Sequence, residues 1–260
     1  MSTGTSKPAP DVLLCERCGY VLSGLPVEAT CPECGKAIAE SLPSVRTLAY
    51  EPKRGMGWVR VAVRMVRSPL AGYETVTIDV ARARGFAMRS FAVVGVMAGL
   101  AALMPWVYEV RARGVDAGGV LTGLLNQALR VSLLVMLGAF VLLWLVMLIE
   151  RAGSRMIGLT HRWRITSEVA YCVCAYASVG WIIGGLAALV WSVVYACRSL
   201  PVGSTVTTAA GAVVTRPRGD DSLVLLLGVP VVFLIGLFGY ELLVYIGLRR
   251  CKFANVEGAR

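Results

Sequence analysis

The most prominent pattern in this sequence is a set of long apolar runs without a charged residue. There are four, at residues 90–107, 131–149, 169–196 and 223–240. A run of about 18 or more such residues can cross a ~30 Å hydrocarbon core as a helix. Backbone amides in lipid must be paired within their own segment, which excludes irregular chain. The pattern therefore predicts four transmembrane helices, over about residues 86–107, 124–149, 169–196 and 223–248.

The third run is longer than one upright crossing requires. Its uncharged residues, 169–196, would span about 42 Å as a continuous helix. Gly180, Gly184 and Gly185 lie in its middle and favour a tilt, a bend or a break into two segments. Both four and five crossings therefore stay open, and the fifth would move the C-terminus to the other side of the membrane.

Composition supports the membrane interpretation. The chain has 260 residues, of which 57% are hydrophobic and only 16% charged. This balance lies outside the range of soluble domains. We predict an all-α polytopic membrane protein whose transmembrane domain covers residues 86–250.

The basic residues are unevenly distributed between alternate loops. Twelve Lys and Arg residues flank the spans on the side of the N-terminus, the second loop and the tail, against six in the other two loops. The positive-inside rule then places both termini in the cytoplasm. No apolar core of a signal peptide precedes residue 15. We expect a multi-pass protein of the inner membrane with a disordered segment at 1–10 and a cytoplasmic tail at 251–260.

Four cysteines form two C-x-x-C-G pairs near the N-terminus. They are Cys15, Cys18, Cys31 and Cys34, with a glycine directly after each pair. Two intervening residues let both sulfurs of a pair reach one metal, and the glycine permits the tight turn. With four protein ligands no position remains open for water, which indicates a structural site. We predict one Zn²⁺ in a zinc-ribbon β-hairpin module at residues 11–41.

Two other uses of these thiols were weighed. Disulfides require an oxidising compartment, whereas the predicted location is cytoplasmic. Iron also accepts four thiolates, and CERCGY resembles a rubredoxin knuckle. An electron-transfer iron needs an apolar shell, however, and Tyr20 is the single aromatic residue between Cys15 and Thr47. Zinc is the favoured ion.

The net charge of the module indicates which class of partner it would bind. Between Asp11 and Ser41 there are two basic residues against five acidic ones. Nucleic-acid binding requires basic and aromatic faces. A protein partner is therefore favoured over DNA or RNA.

A basic segment lies in the predicted linker at residues 42–85. At 100° per residue, Arg60, Arg64 and Arg67 share one face, while Trp58, Val61 and Met65 contribute to an apolar face. This pattern is typical of a helix lying on an anionic leaflet, with Trp58 as the interface anchor. The alternation of Val59, Arg60, Val61, Val63 and Arg64 would also suit a strand.

Inside the spans the sequence offers little chemistry. Glu241 is the one carboxylate within residues 223–248 and is a candidate intramembrane polar site. Its position two turns before Arg249 favours snorkelling or pairing with a loop arginine. Motifs for a nucleophile, a metalloprotease, a P-loop or a dinucleotide turn are absent from the sequence, so we do not expect an enzyme.

The segment TSEVAYCVCAYASVGWIIGGLAALVWSVVYA, the arginine-rich RMVRSPLAGYETV and the tail ELLVYIGLRRCKFAN resemble bacterial Yip-type membrane proteins. The resemblance would cover residues 55–255, joined to a double-knuckle zinc ribbon. It implies a scaffold and carries over no catalytic residue, and Yip-type proteins usually have five spans.

Together these features predict a membrane adaptor or scaffold that binds an unidentified protein through its zinc ribbon. A small transporter or channel subunit is the first alternative, and a membrane-tethered nucleic-acid binder is the second.

Overall fold

The computed structural model of the protein describes residues 12–51, 56–113, 119–161, 163–198, 205–207, 213–215 and 221–256. The predictions for residues 1–10 and for the end of the tail lie outside this part of the chain. The described residues are mostly helical. The helices are α1 (Gly57–Arg67), α2 (Pro69–Thr75), α3 (Val80–Arg113), α4 (Gly119–Thr160), α5 (Ser167–Ala177), α6 (Gly180–Arg198) and α7 (Asp221–Arg250). The strands β1 (Thr205–Thr207) and β2 (Val213–Thr215) pair antiparallel between α6 and α7.

Within the described part of the chain, four helical stretches are long and apolar enough to cross a membrane. They are Val80–Met104, Leu125–Thr160, Ser167–Tyr195 and Val231–Arg250. The prediction of four membrane-spanning helices is confirmed at this level, and the chain has the character of a multi-pass membrane protein. Arginine is a good helix former, so the basic residues that flank the apolar runs continue the helices beyond the predicted limits.

The start of α3 shows how a polar residue sets such a limit. The Asp79 carboxylate accepts hydrogen bonds from the backbone amides of Ala81 and Arg82, at 2.9 and 3.1 Å. This is the N-cap arrangement that satisfies the free amides of a first turn. The helix therefore begins at Val80, before the predicted residue 86.

The third apolar run is interrupted, although it counts as one candidate span. Helix α5 ends at Ala177 and α6 begins at Gly180. The Ser178 hydroxyl donates to the carbonyl oxygen of Ala175, which closes the last turn of α5. The break thus falls directly before Gly180, the first of the three glycines at which the sequence favoured a bend or a break.

The chain divides into two compact units. The first contains the described parts of residues 1–89, 146–179 and 241–260. Its core includes buried aromatic side chains, and the ring centroids of Phe86 and Tyr176 lie 5.2 Å apart. Helix α1 packs into this unit through Val61 and Met65, which are almost fully buried.

The second unit contains the described parts of residues 90–145 and 180–240. Its helices approach closely where glycines face each other. A Cβ added to Gly184 would lie 2.7 Å from the Cα of Gly236, and one added to Gly99 would lie 3.2 Å from the carbonyl oxygen of Ser132. Small residues are the usual means of such contacts between membrane helices.

One structural prediction needs correction. The expected β-hairpin of the ribbon is not formed, because residues 12–51 contain no strand. Two isolated bridges occur instead, Leu14 with Val21 and Thr30 with Ala37. Each bridge joins the residues that flank one cysteine pair, and residues 12–51 contain no strand that pairs one cysteine pair with the other.

Candidate functional site

The four predicted ligands converge on one point. The Sγ atoms of Cys15 and Cys34 lie 3.5 Å apart, and those of Cys18 and Cys31 lie 3.6 Å apart. All four sulfurs lie within 4.8 Å of one another. A tetrahedral site with metal–sulfur bonds of about 2.3 Å has sulfur–sulfur edges of roughly 3.8 Å. The cluster can therefore hold a metal ion, and all four cysteines are free of disulfides.

The two cysteine pairs repeat the same local turn. The amide of Gly19 donates to the carbonyl oxygen of Cys15 at 2.8 Å, and the amide of Gly35 donates to that of Cys31 at 2.9 Å. Both glycines have positive φ, +81° and +72°. Other residues rarely adopt this conformation, which confirms the reason for a glycine after each pair.

Backbone amides also point at the sulfurs. Burial raises the pKa of the Cys15 thiol, but amide hydrogen bonds from Cys18 and Arg17 outweigh it and lower the pKa to about 7. For Cys18, burial prevails over the amide of Tyr20 and raises the pKa to about 12. The Cys18 thiol therefore keeps its proton at neutral pH, and a bound metal has to displace it.

We call residues 12–42 the four-cysteine module. Its core consists of a few small apolar side chains around two of the ligands: Leu13, Leu22 and Ile38 are buried, with Ala29 and Leu42 packed beside them. A module of this size cannot bury enough apolar area to fold independently, so a bound metal would supply much of its folding free energy.

The C-terminal tail (residues 251–256) holds the four-cysteine module through Asn255. Its side-chain oxygen accepts from the amide of Leu14 at 3.0 Å. Its side-chain nitrogen donates to the carbonyl oxygens of Leu14 and Ser41, both at 2.8 Å. Phe253 of the same tail lies against Gly19, where an added Cβ would come within 2.8 Å of its ring.

A buried ion pair provides a second attachment. The Arg46 Nε donates to the Glu16 carboxylate at 3.0 Å. Its Nη1 donates to the carbonyl oxygens of Tyr73 and Val76 at 3.0 and 3.1 Å, which links the module to α2. Burial opposes the charge of Arg46, but Cys251 and Glu16 raise its pKa above the ordinary value.

Sequence reasoning missed Glu16, Arg46 and Asn255. A single charged or amide residue in a polar stretch has no periodic pattern by which it could be recognised. Arg46 binds Glu16 across 30 residues of sequence, and Asn255 binds Leu14 across 241. Arg46 and Asn255 are buried and Glu16 is partly buried, and burial at these sites depends on the tertiary structure.

The four-cysteine module also exposes apolar side chains. Tyr20, Val21, Leu25 and Val27 each leave 36–47% of their surface exposed. These residues lie within eight positions of one another in the spacer between the cysteine pairs. Clustered exposed apolar residues mark interaction surfaces more often than single ones do.

The basic segment is a helix, α1, and the strand alternative is wrong. Arg60, Arg64 and Arg67 are exposed along one side, as predicted. The expected lipid-facing residues are placed differently, however: Val61 and Met65 are buried in the first unit, and Trp58 packs on Phe86 at 6.2 Å. A third stripe, absent from the prediction, is exposed and apolar. It consists of Val59, Val63 and Val66.

Glu241 is partly exposed, and the carboxyl group of Glu150 on α4 lies near it. This neighbour differs from the expected arginine. Glu150 directly follows the predicted end of the second span, and α4 continues through it to Thr160.

Comparison with protein families, with characterised proteins and with solved structures finds no match to this chain.

Proposed function

We propose that this protein is a membrane adaptor whose four-cysteine module, held by one structural Zn²⁺, binds a protein partner in the cytoplasm. The observation that carries the proposal is that one and the same module is attached to the rest of the protein and exposes apolar side chains. Asn255 and Arg46 fix it to the tail and to α2. The apolar spacer residues of the same module remain exposed.

Zinc is the ion that this donor set favours. Four thiolates in a closed tetrahedral arrangement are typical of structural zinc sites. An iron centre for electron transfer would require shielding, whereas Cys18 is exposed and the module contributes Tyr20 as its aromatic residue, itself exposed. The ion would hold the knuckles together without opening a position for chemistry.

The charge of the module supports a protein partner over nucleic acid. Glu28, Glu33 and Glu40 are exposed, against Arg17 and the half-exposed Lys36. Phosphate backbones are bound by clustered cations. An apolar spacer with acidic neighbours suits a partner surface that is apolar and basic. The resemblance to Yip-type proteins agrees with a scaffold and stays a prediction.

The proposal is tested by site-specific photo-crosslinking in native membranes. A photoreactive residue at Leu25 should yield one dominant protein adduct, and the same residue at exposed Ala39 should not. The double variant Tyr20→Ser/Val27→Ser should lose the adduct while keeping one zinc per chain. Equal adducts at both positions, or an adduct that survives the double variant, would show that the spacer is not the contact surface.

A second partner of the proposed adaptor is the anionic leaflet itself. On α1 the exposed Val59, Val63 and Val66 lie beside the arginine stripe, an arrangement that places apolar side chains in lipid and cations among headgroups. A photoreactive residue at Val63 should crosslink to lipid, and one at Val27 should not. Lipid adducts that are equal at the two positions would contradict this placement.

A transporter remains the second candidate function, because the carboxyl groups of Glu150 and Glu241 lie near each other within candidate spans. Intramembrane carboxyl groups recur in proton relays. Proteoliposomes with wild-type protein should then show a proton flux that Glu241→Gln abolishes. An absence of flux in both would leave the adaptor as the function.

A further inference from the structure

A polar groove of about 860 Å³ opens within the first unit, where α7 ends. Its walls come from the four-cysteine module, from α2, from the last turns of α7 and from the tail. The candidate span of α7 ends at Arg250, so in a bilayer this part of the groove would lie where the hydrocarbon core gives way to headgroups.

The groove carries an excess of positive charge. Two of its three carboxylates are paired with cations of the wall, Glu16 with Arg46 and Glu74 with Arg250. Glu40 is the third. Four cations of the wall, Arg17, Lys36, Arg249 and Lys252, form no ion pair within the described part of the chain. Four cations facing one remaining carboxylate form a site for an anion.

Apolar side chains line the same groove. Leu70 of α2 is 48% exposed and Tyr245 of α7 is 57% exposed. The guanidinium of Arg249 lies 5.8 Å from the centre of the Tyr245 ring, so cation and aromatic surface are adjacent. Tyrosine and arginine are the residues that anchor proteins at the boundary between lipid and water.

We propose that this groove binds the headgroup phosphate of an anionic phospholipid, with the acyl chains leaving along Leu70 and Tyr245. The cations match the phosphate, and the exposed apolar residues match the chains. A free phosphate would use the cations alone and would leave the apolar wall without a role. The inference needs only membrane insertion and is independent of the proposed adaptor function.

The test uses full-length, zinc-loaded protein in detergent micelles. Native mass spectrometry counts bound phosphatidylglycerol, phosphatidylcholine and inorganic phosphate across a titration. We expect retained phosphatidylglycerol and much weaker binding of the other two probes. Arg249→Gln/Lys252→Gln should weaken phosphatidylglycerol binding about 25-fold, because each Lys or Arg near an anionic surface contributes about fivefold.

Two controls keep the result interpretable. Arg155→Gln removes an exposed cation of α4 outside the groove and should leave binding unchanged. Arg249→Lys/Lys252→Arg keeps the charge and should retain the lipid even if the glutamine variant folds poorly. Equal binding of the two lipids, an unchanged glutamine variant, or displacement of the lipid by inorganic phosphate would each overturn the proposal.

Discussion

Replacing Asn255 by alanine tests how the four-cysteine module is held. The substitution removes three hydrogen bonds, at 2.8, 2.8 and 3.0 Å, to the backbone of Leu14 and Ser41. Each contributes about 1 kcal/mol net to stability. We expect the attachment to weaken by about 3 kcal/mol, a factor of about 150 in its equilibrium constant.

Hydrogen exchange of the full-length protein in micelles measures this loss. Amides of residues 12–22 should exchange up to about 100-fold faster in Asn255→Ala, because the module detaches more often. The zinc content should stay at one per chain, since the ligands are intact. Val256→Ala, at the neighbouring half-buried position, should leave exchange unchanged. Unchanged exchange in Asn255→Ala would refute the role of this side chain, and loss of zinc would refute folding of the module around its own metal.

Three further predictions concern the metal, the helix contacts and the topology. Cys34→Ser should abolish the single bound zinc, whereas Cys172→Ser, at a buried position of α5, should keep it; elemental analysis decides. Gly184→Ala should lower thermal stability in micelles by about 1–3 kcal/mol, because its Cβ would meet the Cα of Gly236 at 2.7 Å. Gly138→Ala, with open space around it, should not, and equal effects would contradict the contact. Single cysteines at Ser2 and Ala259 should be inaccessible from outside intact cells, in contrast to residues 202–221; a tail that labels from outside would mean five crossings.

The sequence alone was sufficient to predict those features that depend on a local pattern of residues. Uncharged runs predict membrane helices because lipid leaves the backbone no alternative. The spacing of Cys15, Cys18, Cys31 and Cys34 predicts a metal cluster because the geometry of a knuckle is set within six residues.

Features that depend on distant partners could not be predicted. The apolar face of α1 was identified correctly as apolar, but sequence alone could not assign Met65 to the protein core and Val63 to the surface. Asn255 and Arg46 act through partners elsewhere in the chain, and Glu241 lies near Glu150, a residue just beyond a predicted boundary. In each case the deciding contact comes from tertiary packing, which the local sequence pattern does not specify.

The attachment through Asn255 has a consequence for biosynthesis. Leu14 leaves the ribosome 241 residues before the side chain that will hold it. At about 5–20 residues per second, this interval lasts roughly 10–50 s. During that time the candidate spans are still being synthesised, and the nascent module lacks this attachment, so only a metal bound by its own four cysteines would keep it folded. Docking of the module then becomes the last step of assembly, so a docked module marks a chain whose final helix has been delivered to the bilayer.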